Sequence, residues 1–377
     1  MSKLKFSSSK LTKILVSISK FSSTKMIDSS LGKLIFSFEE SKLQIKATDL
    51  EKSIIYTFSE IDNLESFDSF AIGTKDFLGF LSSLPEVDVE LNFGKNKLEM
   101  KTNFASGDFS ISESNEFPSF DKSFQDNFMT LSRQEVQNIV DKLLSSISQD
   151  PSRPALEGIY FDFLNSDNKE NVHLVSVDGF RLAKLEVSTM SKLKKPFILN
   201  ASIFQSLLDF DFDQVKLYPI DDKEGNLSQV EFRIVEKNEI SCFARIIDAN
   251  FPDYKSLIPT EESYKFIFNR DEMLMNLKIV NNVSRNLLGY KTILSLRGKN
   301  LKIFSTDIEK GKIETTMIVE NQGQEELDIA FNLKYLQDAL RCFSKDDIIF
   351  QTKNANSPAL FYGEDNYLHL IMTMRID

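Results

Sequence analysis

The chain has no tryptophan, two cysteines, two histidines and thirteen glycines in 377 residues. Cys242 and Cys342 cannot make a disulfide framework in a chain this long, and they read as small buried apolar side chains. His173 and His369 lie far apart in strand-like stretches, so neither a zinc site nor a Cys–His pair is expected and no metal ligand is assigned. No Asp/Asn/Gly loop of the calcium type occurs either. The scarce glycines form no G-x-G-x-x-G or G-x-x-x-x-G-K-[ST] loop, and no G-x-S-x-G elbow is present. Nucleotide-loop and serine-hydrolase chemistry are therefore set aside. No apolar run reaches the length of a membrane span, and the first residues, MSKLKFSSSKL, lack the apolar stretch of a signal peptide. A cytoplasmic protein without membrane association is expected.

What is present is an ordinary apolar fraction, 41%, in a chain too long for one core, which implies two or three domains. The net charge of −11 argues against nucleic acid if the charge is spread evenly. It does not if the cations are gathered on one surface and the acidic residues cover the rest.

The organisation of the chain is a repeat. KLIFSFEESKLQIKATDLEKSIIYTF (33–58) matches GIYFDF (158–163) plus VHLVSVDGFRLAKLEV (172–187), and both match KTILSLRGKNLKIFSTDIEKGKIETTMIV (291–319). Each reads as strand, polar turn, strand, tight connection, strand. Asp49, Asp178 and Asp307 stand at the same connection, at intervals of 129 residues. One carboxylate per repeat could be imagined as catalytic, but a residue that forms a turn explains the position better.

A helix-like stretch precedes each segment, over about 9–20, 132–146 and 269–280, with apolar residues at i, i+3, i+4 and i+7. Ser132 with Glu135, and Asn269 with Glu272, have capping-box spacing. Short helices follow in IGTKDFLGFLSSL, ILNASIFQSLLDF and FNLKYLQDALRCF, with Thr74, Asn200 and Asn332 as expected N-caps. Alternating strands come after each. The expected fold is α+β, with three repeated domains of two helices and antiparallel sheets. Polar or Pro-containing stretches put the boundaries at 1–125, 126–260 and 261–377.

TDLE (48–51), RPALEGIYF (153–161), VDGFRLA (177–183), IDANFPDYKSLIP (247–259), FNLKYLQDAL (331–340) and MTMRI (372–376) then occur in the order found in one family. Through them the chain resembles the bacterial β sliding clamp, the β subunit of the replicative DNA polymerase III holoenzyme, along nearly its whole length. The resemblance implies a sliding-clamp fold and a head-to-tail homodimer that closes a ring of six domains around duplex DNA. It implies a processivity factor without catalysis or cofactor, opened by a clamp loader. The replicative polymerase and other DNA-processing proteins would be tethered through short peptides.

A clamp should hold phosphates loosely and read no sequence, through cations on its inner helices. The candidates are Lys10, Lys13, Lys20, Arg133, Lys142, Lys278 and Arg285, each of which could equally be an ordinary solvated residue. By family position Lys25, Gln149 and Arg153 join them. For ring closure the resemblance points to Phe109 and Ile111 against Ile279 and Val280, the alternative being simple domain core.

The family's peptide pocket maps onto Leu156, Val177, Gly179, Arg181, Leu182, Pro252 and Leu257, with Tyr335, Leu370, Ile371, Met372, Met374 and Arg375. An apolar concavity with aromatic and methionine side chains suits varied peptides. This chain departs from the family at Phe180 (commonly His), Ser256 (often basic), Thr373 (usually Pro) and Asp377. These changes remove positive charge, so a weaker preference for acidic peptides is expected. The rival readings are an enzyme and a scaffold that binds only proteins; salt-dependent retention on DNA separates the second from a clamp.

Overall fold

The computed structural model describes residues 3–23, 30–59, 66–94, 96–114, 117, 128–163, 171–189, 191, 193, 195–236, 238–364 and 366–376. One succession of elements occurs three times. The first is β1 (Lys3–Ser7), α1 (Ser8–Ser19), β2 (Lys33–Glu39), β3 (Lys42–Thr48), β4 (Lys52–Thr57), β5 (Phe70–Gly73), α2 (Thr74–Ser83), β6 (Asp88–Phe93), β7 (Lys97–Lys101) and β8 (Ser106–Glu113). The second is β9 (Met129–Ser132), α3 (Arg133–Leu143), β10 (Gly158–Phe163), β11 (Asn171–Val177), β12 (Arg181–Ser188), β13 (Phe197–Asn200), α4 (Ser202–Leu207), β14 (Gln214–Asp221), β15 (Leu227–Val235) and β16 (Glu239–Arg245). The third runs β17 (Tyr264–Asn269), α5 (Arg270–Ser284), β18 (Lys291–Arg297), β19 (Asn300–Asp307), β20 (Gly311–Ile318), the two-residue β21 (Glu320–Asn321), β22 (Glu326–Asn332), α6 (Leu333–Arg341), β23 (Asp347–Thr352), β24 (Ala359–Glu364) and β25 (Tyr367–Ile371).

All strand pairs among the described residues are antiparallel. In space the chain forms two compact units, one of residues 1–136, 189–193 and 202–246, the other of 137–188, 194–201 and 247–377. The sheets explain why compactness does not follow the repeat. In the first unit one twelve-stranded sheet runs β1-β6-β7-β8-β5-β2-β3-β4-β16-β15-β14-β9, so β4 of the first repeat pairs with β16 of the second. In the second unit a nine-stranded sheet runs β13-β10-β11-β12-β25-β24-β23-β17-β21, so β12 of the second repeat pairs with β25 of the third. The remaining sheet is β20-β19-β18-β22.

The local chemistry of the repeat is also threefold. Each aspartate accepts two backbone N–H bonds through Oδ1. Asp49 takes those of Glu51 (3.0 Å) and Lys52 (2.8 Å). Asp178 takes those of Phe180 (2.9 Å) and Arg181 (3.0 Å). Asp307 takes those of Glu309 (2.9 Å) and Lys310 (2.8 Å). The three are Asx turns, as their spacing predicts. The first residue of each long helix is likewise tied to the chain leaving the short one: Ser8 N to Val87 O, Arg133 N to Asp213 O, and Arg270 N to Asp346 O, at 2.8, 2.9 and 2.7 Å.

Ser132 and Glu135 form the full capping box, Glu135 N donating to Ser132 Oγ and Ser132 N to Glu135 Oε2. Asn269 and Asn332 cap α5 and α6. Thr74 does not cap α2; it is the first helical residue, and its hydroxyl donates to Gly32 O (2.9 Å). The cores are filled by phenylalanine, for example Phe36 with Phe70 and Phe77 in the first unit and Phe266 with Phe350 in the second. Phenylalanine suits full burial because its ring brings no polar hydrogen to satisfy.

Candidate partner-peptide pocket

The Asp178 turn opens a corner of the second unit. Gly179 has φ +93, and a Cβ there would lie 3.0 Å from Nη1 of Arg153, so only glycine fits without strain. The turn throws Phe180 outward, 58% exposed, and Arg181 inward. Arg181 donates through Nε to Asp178 Oδ2 (2.9 Å) and through Nη1 to Asp338 Oδ2 (2.8 Å). Its guanidinium lies over the Tyr335 ring at 4.4 Å, and Phe180 stacks near the same ring, centroids 6.3 Å apart. Burial works against the Arg181 charge, but the bonds to Asp338 and Asp178 outweigh it and raise its pKa. This cation is fully engaged by Asp178, Asp338 and the Tyr335 ring.

The floor of the corner is a buried cluster of Val175, Val177, Leu182, Tyr254, Leu360, Leu368 and Leu370, with Leu156, Tyr160, Phe251, Ile258 and Tyr362 packed around it. One wall is the segment that carries Pro252 and Leu257. Phe251 stacks on Tyr160 at 4.5 Å, and the Tyr254 hydroxyl donates to Asp162 (2.8 Å) and meets His173 Nδ1 (3.0 Å). Lys255 pairs with Asp162 (2.8 Å). Burial, with Lys184 nearby, lowers the His173 pKa, while Glu186 and Asp162 oppose that. The other wall is the chain after β25: Met372 N donates to Phe180 O (2.8 Å) and Met374 N to Ala330 O (2.7 Å). The Met374 methyl rests against Gly289, where a Cβ would come within 2.9 Å of it.

The structure therefore brings all thirteen sequence-assigned pocket residues into one unit, in different depths. Phe180, Leu257 and Met372 offer exposed apolar surface, 58%, 42% and 40%. Val177, Leu182, Leu370 and Ile371 are almost wholly buried, so they support the surface and do not form it. The arrangement is an apolar, aromatic corner with fixed polar groups, chemistry suited to receiving a side chain or two of an extended ligand. Sequence reasoning missed Asp338, although its position three residues after Tyr335 puts both on one helix face. It also missed the Tyr254 clasp.

Comparison with known proteins gives the family and the fold. Residues 130–253 match the family model of the DNA polymerase III beta subunit, central domain, and residues 255–375 that of its C-terminal domain. The chain belongs to the DNA polymerase III beta subunit family. It is 24% identical to a beta sliding clamp of Rickettsia bellii, over 97% of this chain and 98% of that one. It is 22% identical to the beta sliding clamp of Vibrio cholerae over 92% of each. Its fold is that of solved sliding clamps: the clamp of Bacillus subtilis superposes with a TM-score of 0.89 over all of both chains at 20% identity. A clamp of Pseudomonas aeruginosa, solved bound to griselimycin, superposes with a TM-score of 0.88 at 20% identity.

The cations assigned to a DNA-facing surface of this family member fare unevenly. Lys10, Lys278 and Arg285 are exposed, as is Gln149. Lys13 and Lys20 are exposed but paired with Asp211 (3.2 Å) and Asp209 (2.7 Å). Lys25 lies outside the described residues. Arg133 is corrected: its guanidinium donates to Leu208 O (2.8 Å) and Phe210 O (2.5 Å), capping the chain that leaves α4. Lys142 is corrected too. It is buried, paired with Glu364 and set over the Tyr367 ring at 5.0 Å. Arg153, exposed, stands beside Gly179 at the pocket rim.

Of the expected interface residues, Phe109 is half-buried against Phe77 and Phe80, Ile111 is half-buried, and Ile279 is 42% exposed. Val280 is corrected: it is fully buried and belongs to the core around α5. No helix among the described residues is long and apolar enough to cross a membrane.

Proposed function

We propose that this chain is a sliding clamp and processivity factor of three domains, 1–125, 126–260 and 261–377, two copies of which close head to tail into a ring around duplex DNA. The ring has no catalytic role and no cofactor. A clamp loader opens it in the cytoplasm. The replicative polymerase and other DNA-processing proteins are tethered by short peptides seated against Phe180, Leu257, Tyr335, Met372 and Met374.

One observation carries the reading. The same strand junction is built twice within the chain. Lys52 stands opposite Ala244 where β4 meets β16, and Arg245 N donates to Glu51 O (2.9 Å). Arg181 stands opposite Ile371 where β12 meets β25, and Met372 N donates to Phe180 O (2.8 Å). The third copies of these partners have no mate among the described residues. β20 is the end of its sheet, and residues 106–110 of β8 pair on one side only, with β7. Repeating the junction between two copies sets β20 of one beside β8 of the other. A repeated heterologous contact closes into a ring when its rotation does. Open strand edges are otherwise a hazard that proteins cover.

The test is topological. The protein is loaded onto nicked circular DNA by a bacterial loader, and the DNA is then linearised. Retention on circles with loss from free ends, at salt that abolishes phosphate binding, is expected. Equal loss from both forms, together with a stable mass of one 43.2 kDa chain, refutes the ring.

A further inference from the structure

At the corner of the first unit that corresponds to the Asp178 corner, the chemistry is different. Lys52 follows the Asp49 turn as Arg181 follows the Asp178 turn. Arg181 meets a carboxylate on the short helix that faces it, Asp338 of α6. Lys52 meets α4, where the residue three after the matching Phe204 is the fully buried Leu207. Its ammonium donates instead to the Ser206 hydroxyl (3.0 Å) and lies 5.3 Å from the centre of the Phe21 ring. It has no carboxylate ion-pair partner among the described residues.

This half-buried ammonium faces a cavity of about 580 Å3 between the end of α1 and α4, lined by Ser19, Lys20, Ser22, Lys52, Ser202, Gln205 and Ser206. The lining contains no apolar and no acidic residue. Lys20 is held from outside it by Asp209 at 2.7 Å, so one ammonium is balanced in the free protein and the other is not. Burial depresses the Lys52 pKa; Asp49, Cys242 and Glu51 pull the other way, and Lys20 adds to the depression. The two cations are thus close enough to repel one another. A partly desolvated cation with carboxylates nearby but no direct ion pair, beside a second cation and a ring of hydroxyls and an amide, is stabilised further when an anion enters.

We propose that this cleft is a phosphate-binding site, with Lys52 as the seat, Lys20 released from Asp209 as the second charge, Gln205 as an amide donor, and the Ser22 and Ser206 hydroxyls joining when they turn from the Ser19 and Ser202 carbonyls they bond in the free protein (2.7 and 3.0 Å). The group it takes is a phosphate ester, supplied by the backbone of the encircled DNA or by a free nucleotide. In the first case the cleft gives the lining a defined phosphate seat, beyond the diffuse attraction expected of a clamp. The site exists in one compact unit and does not need the ring.

The test is calorimetric titration of the full-length protein with inorganic phosphate, with AMP and with a short duplex. Saturable uptake of phosphate or AMP is expected, weakened at least about tenfold by Lys52→Met, the equivalent of one charge-assisted hydrogen bond. Ser206→Ala, which leaves the charges and the core in place, should weaken it severalfold. Lys353→Ala, in the other compact unit and paired with Glu261, should leave it unchanged. If DNA is the source, the duplex displaces phosphate and Lys52→Met reduces the slope of log K against log salt by about 0.9. If a free nucleotide is the source, AMP outcompetes the duplex and the slope is unmoved. No saturable uptake of phosphate, AMP or duplex, or uptake that both Lys52→Met and Ser206→Ala leave unaltered, overturns the site. Because phosphate titration is independent of ring closure, its failure and a failure of the clamp reading are distinguishable.

Discussion

Lys142→Met separates a structural cation from a DNA-facing one. The Lys142 side chain is 8% exposed and that of Glu364 13%, and the pair is roofed by the Tyr367 ring. Glu364 also accepts from the Ser344 backbone N–H at 2.7 Å. Removing one partner of a buried pair typically costs about 3–5 kcal/mol, because the remaining charge is stranded. The Ser344 bonds survive here, which brings the expected loss down to about 2–4 kcal/mol. For a chain of this length each kcal/mol moves the melting point by about 2 °C, so a fall of about 4–8 °C is expected in the transition of this unit.

The pH dependence gives a second handle on the same pair. Burial raises the Glu364 pKa, but Lys142 and Ser344 overcome it and hold the group below its ordinary value. A depressed folded-state pKa gives stability that is present above the unfolded value and disappears as pH falls through the folded one. In Lys142→Met burial is uncompensated, so Glu364 takes up its proton at higher pH and the stranded charge is relieved. The deficit of the variant should be largest near about pH 7 and shrink toward about pH 4.5. Differential scanning calorimetry at both pH values measures it, beside the salt slope of DNA binding. An unchanged melting point with a slope reduced by about 0.9 would refute the reasoning, since that is the signature of one lost phosphate contact.

Three further outcomes follow from particular contacts. Phe180→Ala should weaken a bound partner peptide by about 1–2 kcal/mol, roughly tenfold, without moving the melting point, because the ring is exposed and only its stacking on Tyr335 is lost; unchanged affinity in a fluorescence anisotropy titration removes this corner from the peptide site. Ile279→Asp should leave each chain folded and loosen the dimer by about tenfold or more in sedimentation equilibrium, whereas Val280→Asp should prevent folding by placing a charge in the core. A dimer unaffected by Ile279→Asp places that residue outside the interface. Asp307→Ala should cost about 1–2 kcal/mol through the two backbone N–H groups left without Oδ1, with retention on DNA intact; loss of retention in a folded, dimeric variant would instead give Asp307 a functional role.

Parts of the candidate site were legible because their signals are local. The V-D-G-F-R-L run announces an Asx turn, a residue with positive φ and an arginine entering a strand, and the structure has all three. The i, i+4, i+7 stripe of α5 already contained Met273, Leu277 and Val280, so the burial of Val280 was readable and the interface assignment ran against it. The depth of the pocket residues was not readable. Leu370 and Ile371 point to opposite faces of a strand inside its sheet, and both are buried because other parts of the chain cover both faces, Leu370 in the cluster that holds Tyr254.

The sequence by itself determined the threefold succession of helices and strands, the turns between them and the faces the helices bury. Those properties depend on spacings of two to four residues, which any stretch carries within itself. The tertiary structure alone decided which strands join across repeats and what becomes of each cation. Lys142 is neutralised by a carboxylate 222 residues away and Lys13 by one 198 residues away, while Lys10 is left free to meet solvent. The Coulomb energy of a charge depends on what folding brings within a few ångströms of it and on how much water is excluded, and neither quantity is written in the neighbouring residues.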